Sequence, residues 1–281
     1  MSDITLRRSL ARPRRTANAP LLAGLTMLVF MIIAMWGAPH LLPFNPLKVD
    51  FNIALEPPNA VHWFGTDNLG RDILARVLAA GRIDLQIALI CVALPFLLGS
   101  VVGAMAGYFG GMVDHIVSAL VDILWAFPFY VLVIAIIGTL GPSIGNLYLA
   151  FTLVVWISFA RIVRGEVLVA RETEYVMAAR MLGFSHARII LVHVLPNTIT
   201  PALVYAMADV VLTILAITAL SFLGLGVQPP TPEWGIMIAD GRNFIFNAWW
   251  ISTLPGLAIV YAGIAFTLLG DGLDTLLRPK G

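Results

Sequence analysis

Charge is scarce in this chain. Only 12% of its 281 residues are Asp, Glu, Lys or Arg, against about 25% in ordinary soluble domains. Lysine is almost missing: Lys48 and Lys280 are the whole supply. Neither stands in a Gly-Lys-[Ser/Thr] context, where a lysine must reach the β and γ phosphates of a nucleotide. The chain therefore holds no phosphate-binding loop, and any ATP-driven work requires the ATPase on a separate polypeptide. A single cysteine, Cys91, excludes an intrachain disulfide and a cysteine-built metal site. The five histidines are scattered, with no His-x-x-x-His or Glu-x-x-His pair. No metal site, no cofactor in this chain and no nucleic-acid partner is expected.

What is abundant is apolar surface. Hydrophobic residues make up 59% of the chain and the mean hydropathy is +0.91. No soluble fold of this length hides so much, so the solvent is the lipid bilayer. A span needs about 20 apolar residues to cross roughly 30 Å of hydrocarbon. Six stretches qualify: Leu21–Leu42, Leu85–Tyr108, Ile116–Leu140, Asn146–Val163, Ile199–Leu223 and Ile251–Leu269. Lipid offers the backbone no hydrogen-bond partners, so each is expected to be a helix. No stretch alternates as barrel strands do. The expected fold is an all-α integral membrane protein with six transmembrane helices.

Lys and Arg set the direction. Five arginines precede the first span, five lie between Arg161 and Arg188, and Arg278 and Lys280 close the chain. Placing these on the cytoplasmic side puts twelve of the seventeen basic residues inside, with both termini cytoplasmic. Leu21–Trp36 has the length of a signal-peptide core, but no small-x-small cleavage site follows it; an uncleaved anchor is expected. The divisions are a basic cytoplasmic head (1–20), an anchor helix (21–43), an external segment (44–82) and a five-helix core (83–281) with a cytoplasmic loop (165–198).

That loop carries the most informative stretch, Glu174–Asn197, a polar, Arg-bearing segment between long apolar spans. It holds an Ala178-Ala179 pair, a lone Gly183, Phe184, Ser185, Arg188 and a Leu195-Pro196 stop. Small Ala side chains let a partner approach a helix closely. Gly183 can end one helix and start another, and Pro196 is expected to end the second. Two short helices at an angle follow, serving either to dock a soluble partner or to rest on the lipid surface.

The stretch resembles the "EAA" coupling loop of bacterial ABC-importer permeases: Glu-Ala-Ala, three residues, Gly, nine residues, Ile-x-Leu-Pro. Here it reads Met177-Ala178-Ala179, Gly183 and His193-Val194-Leu195-Pro196. Met177 stands where Glu is usual and His193 where Ile is usual; Glu172 or Glu174 is the nearby carboxylate. Further stretches are similar to the dipeptide, oligopeptide and nickel branch of that superfamily. They are Phe64-Gly65-Thr66-Asp67 with Gly70-Arg71-Asp72, Ala106–Gly111, Asp122 with Ala126-Phe127-Pro128, Ser221–Pro230, Glu233-Trp234-Gly235 and Leu269–Leu273. They occur in the family's order, and the extra N-terminal span also fits.

The resemblance implies the second permease of such an importer, with the type I importer fold, in the bacterial inner (cytoplasmic) membrane. It implies a heterodimer with a homologous permease, two cytoplasmic ATPases that bind ATP and Mg, and an extracytoplasmic substrate-binding protein. It implies di- or oligopeptide cargo, nickel or glutathione being the alternatives on the same architecture. From other classes, an ion-coupled secondary transporter would show inverted repeats, and none is seen. An intramembrane enzyme would need a catalytic pair that this chain does not display, so no catalytic residue is expected.

Several residues carry open alternatives. Gly99, Gly103 and Gly107 form a close-packing stripe, read first as contact within the chain and second as a dimer seam. Asp122 and Asp209 are the deepest charges, and charges inside spans are expensive. Either lines a translocation path and meets a cationic group, or pairs structurally; for Asp122 the structural role is preferred. Asp84, Asp114, Asp271 and Asp274 are placed at solvated span ends. Pro95, Pro128, Pro201 and Pro255 are expected to kink spans, and Trp249-Trp250 to lie at the membrane interface. The long outer segments are candidate receptors for an external partner or a lid over the bundle.

Overall fold

The computed structural model describes residues 19–41 and 45–277, with backbone alone at 38, 39 and 41. The basic head and tail, with Arg278 and Lys280, lie outside the described residues, so the orientation argument gains nothing from them. Among the described residues there is no β-strand; a lone bridge joins Thr66 and Asp72.

Five helices are long and apolar enough to span a bilayer. They are α1 (Ala19–Leu41), α2 (Ile73–Phe109), α5 (Ile144–Ala170), α9 (Thr200–Phe222) and α11 (Trp250–Leu277). Between them lie α3 (Gly111–Trp125), α4 (Phe129–Leu140), α6 (Glu174–Met181), α7 (His186–Arg188), α8 (Leu195–Thr198) and α10 (Trp234–Gly241). The expected third span, Ile116–Leu140, is not one straight helix. It is α3 and α4, bent by 87° at residues 126–128. At 1.5 Å per residue these run only about 22 and 18 Å, so neither crosses alone. The cause is Pro128, which lacks an N–H and disfavours helical geometry at Phe127 before it. Counted as one bent span, the pair gives six.

The other prolines behave differently. Pro201 lies in the first turn of α9, where a missing N–H costs nothing, so it does not kink the span. Pro95 and Pro255 sit inside continuous helices.

α2 is 37 residues long, roughly 55 Å at 1.5 Å per residue. It starts twelve residues before the span expected at Leu85 and so is longer than a bilayer's hydrocarbon core, about 30 Å, requires. It packs along α5. A methyl group at Gly99 would strike the Trp156 carbonyl and Phe159; at Gly103, Ala160; at Gly107, the Arg164 carbonyl and Val167. The glycine stripe is thus a seam within this chain. A second seam joins first and last helices: Gly24 lies against the backbone of Ala265 and Leu269, and Gly272 against Leu21. Tyr261 Oη donates to the Met27 carbonyl across it (3.2 Å).

The outer segments form one cap rather than loose loops. Asp67 holds Arg71 (2.6 Å) and Arg76 (3.5 Å), Arg71 reaches Asp240 (3.6 Å), and Asp72 meets His62 (2.8 Å). Asp72 also caps α2, accepting from Ala75 N–H. Trp250 is buried and donates to the Thr66 carbonyl (3.0 Å), so the expected membrane-interface position falls to Trp249 alone. Trp234 donates through Nε1 to Val77 O and through its backbone to Asp84 Oδ2, both at 3.0 Å.

Asp84 is therefore no solvated span end: it is 2% exposed. Its neighbour Glu233 is fully buried and caps α10, accepting from Gly235 and Ile236 N–H. Burial pushes the Glu233 carboxyl above its ordinary range, and the bonds from Gly235 and Ile236 N–H partly offset that push. Asp114 pairs instead with Arg164 of α5 (2.8 Å).

Gly103→Leu forces a side chain into the α2–α5 seam, at an expected cost of about 3 kcal/mol from overpacking. Gly138→Leu, on an open face of α4 where a methyl meets nothing within 4 Å, is the control. Thermal melting of the purified protein should drop for the first variant only. Equal melting would show the seam to be loose.

Candidate functional site

The Glu174–Asn197 motif folds as two helices about a glycine. Thr173 opens α6, its carbonyl accepting from Val176 and Met177 N–H. α6 buries Val176 and Ala179 and exposes Met177, Ala178 and Met181. Gly183 has φ +75°, the left-handed geometry that a side chain resists. Gly183 N–H meets the Arg180 carbonyl (3.0 Å) and Phe184 N–H the Ala179 carbonyl (3.2 Å), the paired bonds of a Schellman stop. Ser185 then caps the next helix, its Oγ accepting from Arg188 N–H (3.4 Å).

That second helix does not end at Pro196. α7 passes into a π-helical stretch, Ile189–Val194, and on into α8, in whose first turn Pro196 sits. The wider π turn precedes the residue that cannot donate an N–H, and the ribbon continues toward α9.

The loop is fastened to the C-terminal end of α2 by residues that the motif alone did not single out. Tyr108 Oη lies 3.0 Å from His186 Nδ1. The Arg180 guanidinium sits 5.0 Å above the Tyr108 ring, and Phe109 contacts the His186 ring edge-on. Arg171 Nη1 donates to the Gly107 carbonyl (2.9 Å). Within the loop, Arg188 stacks on Phe184 (4.1 Å), and Phe184 lies parallel to His193, at 5.6 Å. The sequence signal was present in Ala106–Gly111: an aromatic pair among glycines at a span end. What it touches depends on the tertiary fold.

The outward face of this loop is apolar and uncovered. Met181 is 85% exposed and Leu182 71%, with Met177, Leu191 and Val192 also exposed. Glu172 pairs with Arg171 (2.9 Å), leaving Glu174 exposed on the first turn of α6.

The two deep aspartates part company. Asp122 is exposed and pairs with Arg161 of α5 (3.2 Å), whose guanidinium lies 4.6 Å from the Trp125 ring centroid. Asp209 is the tenth of 23 residues in α9, at mid-span and only 6% exposed. Its Oδ2 is buried without a hydrogen-bond partner. It lines a half-open cavity of about 430 Å³ walled by the α3–α4 elbow, α5 and α9. Trp125, Phe127, Phe129, Tyr130, Ser158, Tyr205 and Thr213 share its wall, and no Arg, Lys or His lines it. An unpaired carboxylate at such depth costs several kcal/mol until a cation or a proton meets it.

The family described as binding-protein-dependent transport system inner membrane component matches residues 99–280. A probable D,D-dipeptide transport system permease of Escherichia coli K12, DdpC, is 40% identical over 254 residues, covering 90% of this chain and 84% of its own length. The dipeptide permease DppC of Bacillus subtilis is 38% identical over 268 residues (95% and 84%). The glutathione permease GsiD of Pectobacterium atrosepticum is 38% identical over 259 residues (92% and 86%). An ion-coupled transporter and an intramembrane enzyme are thereby set aside. The chain belongs to the family of inner-membrane components of binding-protein-dependent transport systems.

Proposed function

We propose that this chain is one of two homologous permease subunits of an ATP-driven importer for di- and oligopeptides. The carrying observation is similarity near 40% along nearly the whole chain to permeases named for dipeptides. Two separate cytoplasmic ATPases bind ATP and Mg, and an extracytoplasmic binding protein delivers cargo to the outer cap. Both termini face the cytoplasm.

The Glu174–Asn197 loop is the ATPase-docking element, through Met177, Ala178, Gly183, Phe184, Ser185 and Arg188. Two features support this over a lipid-resting helix: the exposed apolar patch around Met181, and the bracing of the loop by Tyr108, which lets displacement reach α2. Pro196 and buried Ala179 shape the loop from within. The cavity beside Asp209 is a stretch of the translocation path. Asp122, held by Arg161, is structural. Glutathione is the second reading of cargo, favoured by the GsiD relative; it too is a small peptide.

Purification from native membranes in mild detergent should bring down a second permease and P-loop ATPases, identified by mass spectrometry, and the reconstituted complex should take up radiolabelled dipeptide. Isolation of this chain alone would contradict the proposal. Ala178→Trp adds bulk on the exposed face of α6 and is expected to weaken ATPase binding by about 3 kcal/mol, roughly a hundredfold, with membrane insertion intact. Co-purification of the ATPases at wild-type yield would remove docking from Ala178.

A further inference from the structure

We propose that Asp209 and the aromatic side chains around it bind the terminal ammonium group of a peptide in transit; this rests on the peptide-permease reading above. Asp209 Oδ2 is buried without a partner, and its cavity contains no basic side chain. Arg161, on α5, is already engaged by Asp122 and by the Trp125 ring. The carboxylate is thus the one charge aimed into a space of about 430 Å³, far more than a bare cation fills.

The remaining wall fits an ammonium and not a metal ion. Hard cations take six or more oxygen ligands; here one carboxylate stands with the hydroxyls of Ser158, Thr213 and the tyrosines. Aromatic faces do attract ammonium groups within about 6 Å of a ring centroid. Phe127, Tyr130 and Tyr205 supply such rings from the α3–α4 elbow and from α9, Tyr205 one turn before Asp209, while Trp125 already holds Arg161. The wall offers nothing cationic to a peptide carboxylate, so this subunit reads only the amino end. The hydrophobic lining accepts varied side chains, and specificity falls on the one group that all free peptides share.

The test uses the full transporter in detergent with Ser158→Cys as a reporter in the cavity wall. Native Cys91 is fully buried and serves as the unreactive background. Labelling by a methanethiosulfonate is timed with Ala-Ala, alaninamide and N-acetyl-Ala-Ala. Ala-Ala and alaninamide should slow labelling and the acetylated peptide should not. In the added presence of Asp209→Asn, the half-protecting concentration should rise roughly thirtyfold or more, with Asp209→Glu recovering part of the loss. Should Ser158→Cys fail to assemble, Thr213→Cys on the same wall replaces it. Equal protection by the acetylated peptide, protection unchanged in Asp209→Asn, or protection by none of the three would overturn the proposal. Uptake of radiolabelled Ala-Ala by the wild-type complex reports on the other reading. Uptake without protection removes the site and keeps the permease, whereas no uptake removes the peptide reading itself.

Discussion

Three glycines on one face of α2 let its backbone lie directly on α5, and both ends of the molecule hang from that pair. At one end, Gly107 brings the helix end close enough for Arg171 to reach its carbonyl, and the next residue, Tyr108, holds the Glu174–Asn197 loop. Toward the other, Asp84 and Val77 of the same helix seat Trp234. A helix of 37 residues with no break is a stiff element. Packed interfaces of this kind shift as units rather than deforming continuously. The chain thereby has a physical connection between its Glu174–Asn197 loop and the cap at the opposite end of α2.

The cap uses polar chemistry where the bundle uses apolar packing. Most of its buried charges are satisfied: Asp67 with two arginines, Asp72 with His62, Glu233 with two backbone N–H groups, while Asp84 has a partner for Oδ2 and none for Oδ1. Breaking one member of such a network costs far more than the network contributes, so the cap behaves as a single shaped surface. Asp209 is the contrast. Its Oδ2 is buried without a partner, as is Asp84 Oδ1, but of these two carboxylates only Asp209 lines a cavity.

The fold class was legible because lipid leaves helices few alternatives, and lengths near 20 apolar residues stand out against so little charge. The Ala178-Ala179, Gly183 spacing gave the loop its two helices, since the left-handed turn at Gly183 is a local requirement. Local reasoning failed where tertiary contact decided. A hydropathy window reads through Pro128 and sees one span; the backbone breaks there. Leu195-Pro196 looked like a stop, but a π turn upstream absorbs the missing donor. Asp84 looked like a solvated end because nothing in its neighbourhood along the chain announces Trp234, 150 residues away. Tyr108 and His186, 78 residues apart, likewise meet only in three dimensions. The distinction between Asp122 and Asp209 rests on which of them finds an arginine across the helix interface.

On the proposal above, α2 carries motion between the Glu174–Asn197 loop and the cap. Spin labels at Met181 and Phe246, 85% and 97% exposed, report the two ends in the assembled transporter. Their separation, read by pulsed electron paramagnetic resonance, should change when a non-hydrolysable ATP analogue is added. Tyr108→Leu removes both the bond to His186 and the ring beneath Arg180. In that variant the change should be lost although the ATPases remain bound. An undiminished change in Tyr108→Leu would contradict the account and place the connection elsewhere in the bundle.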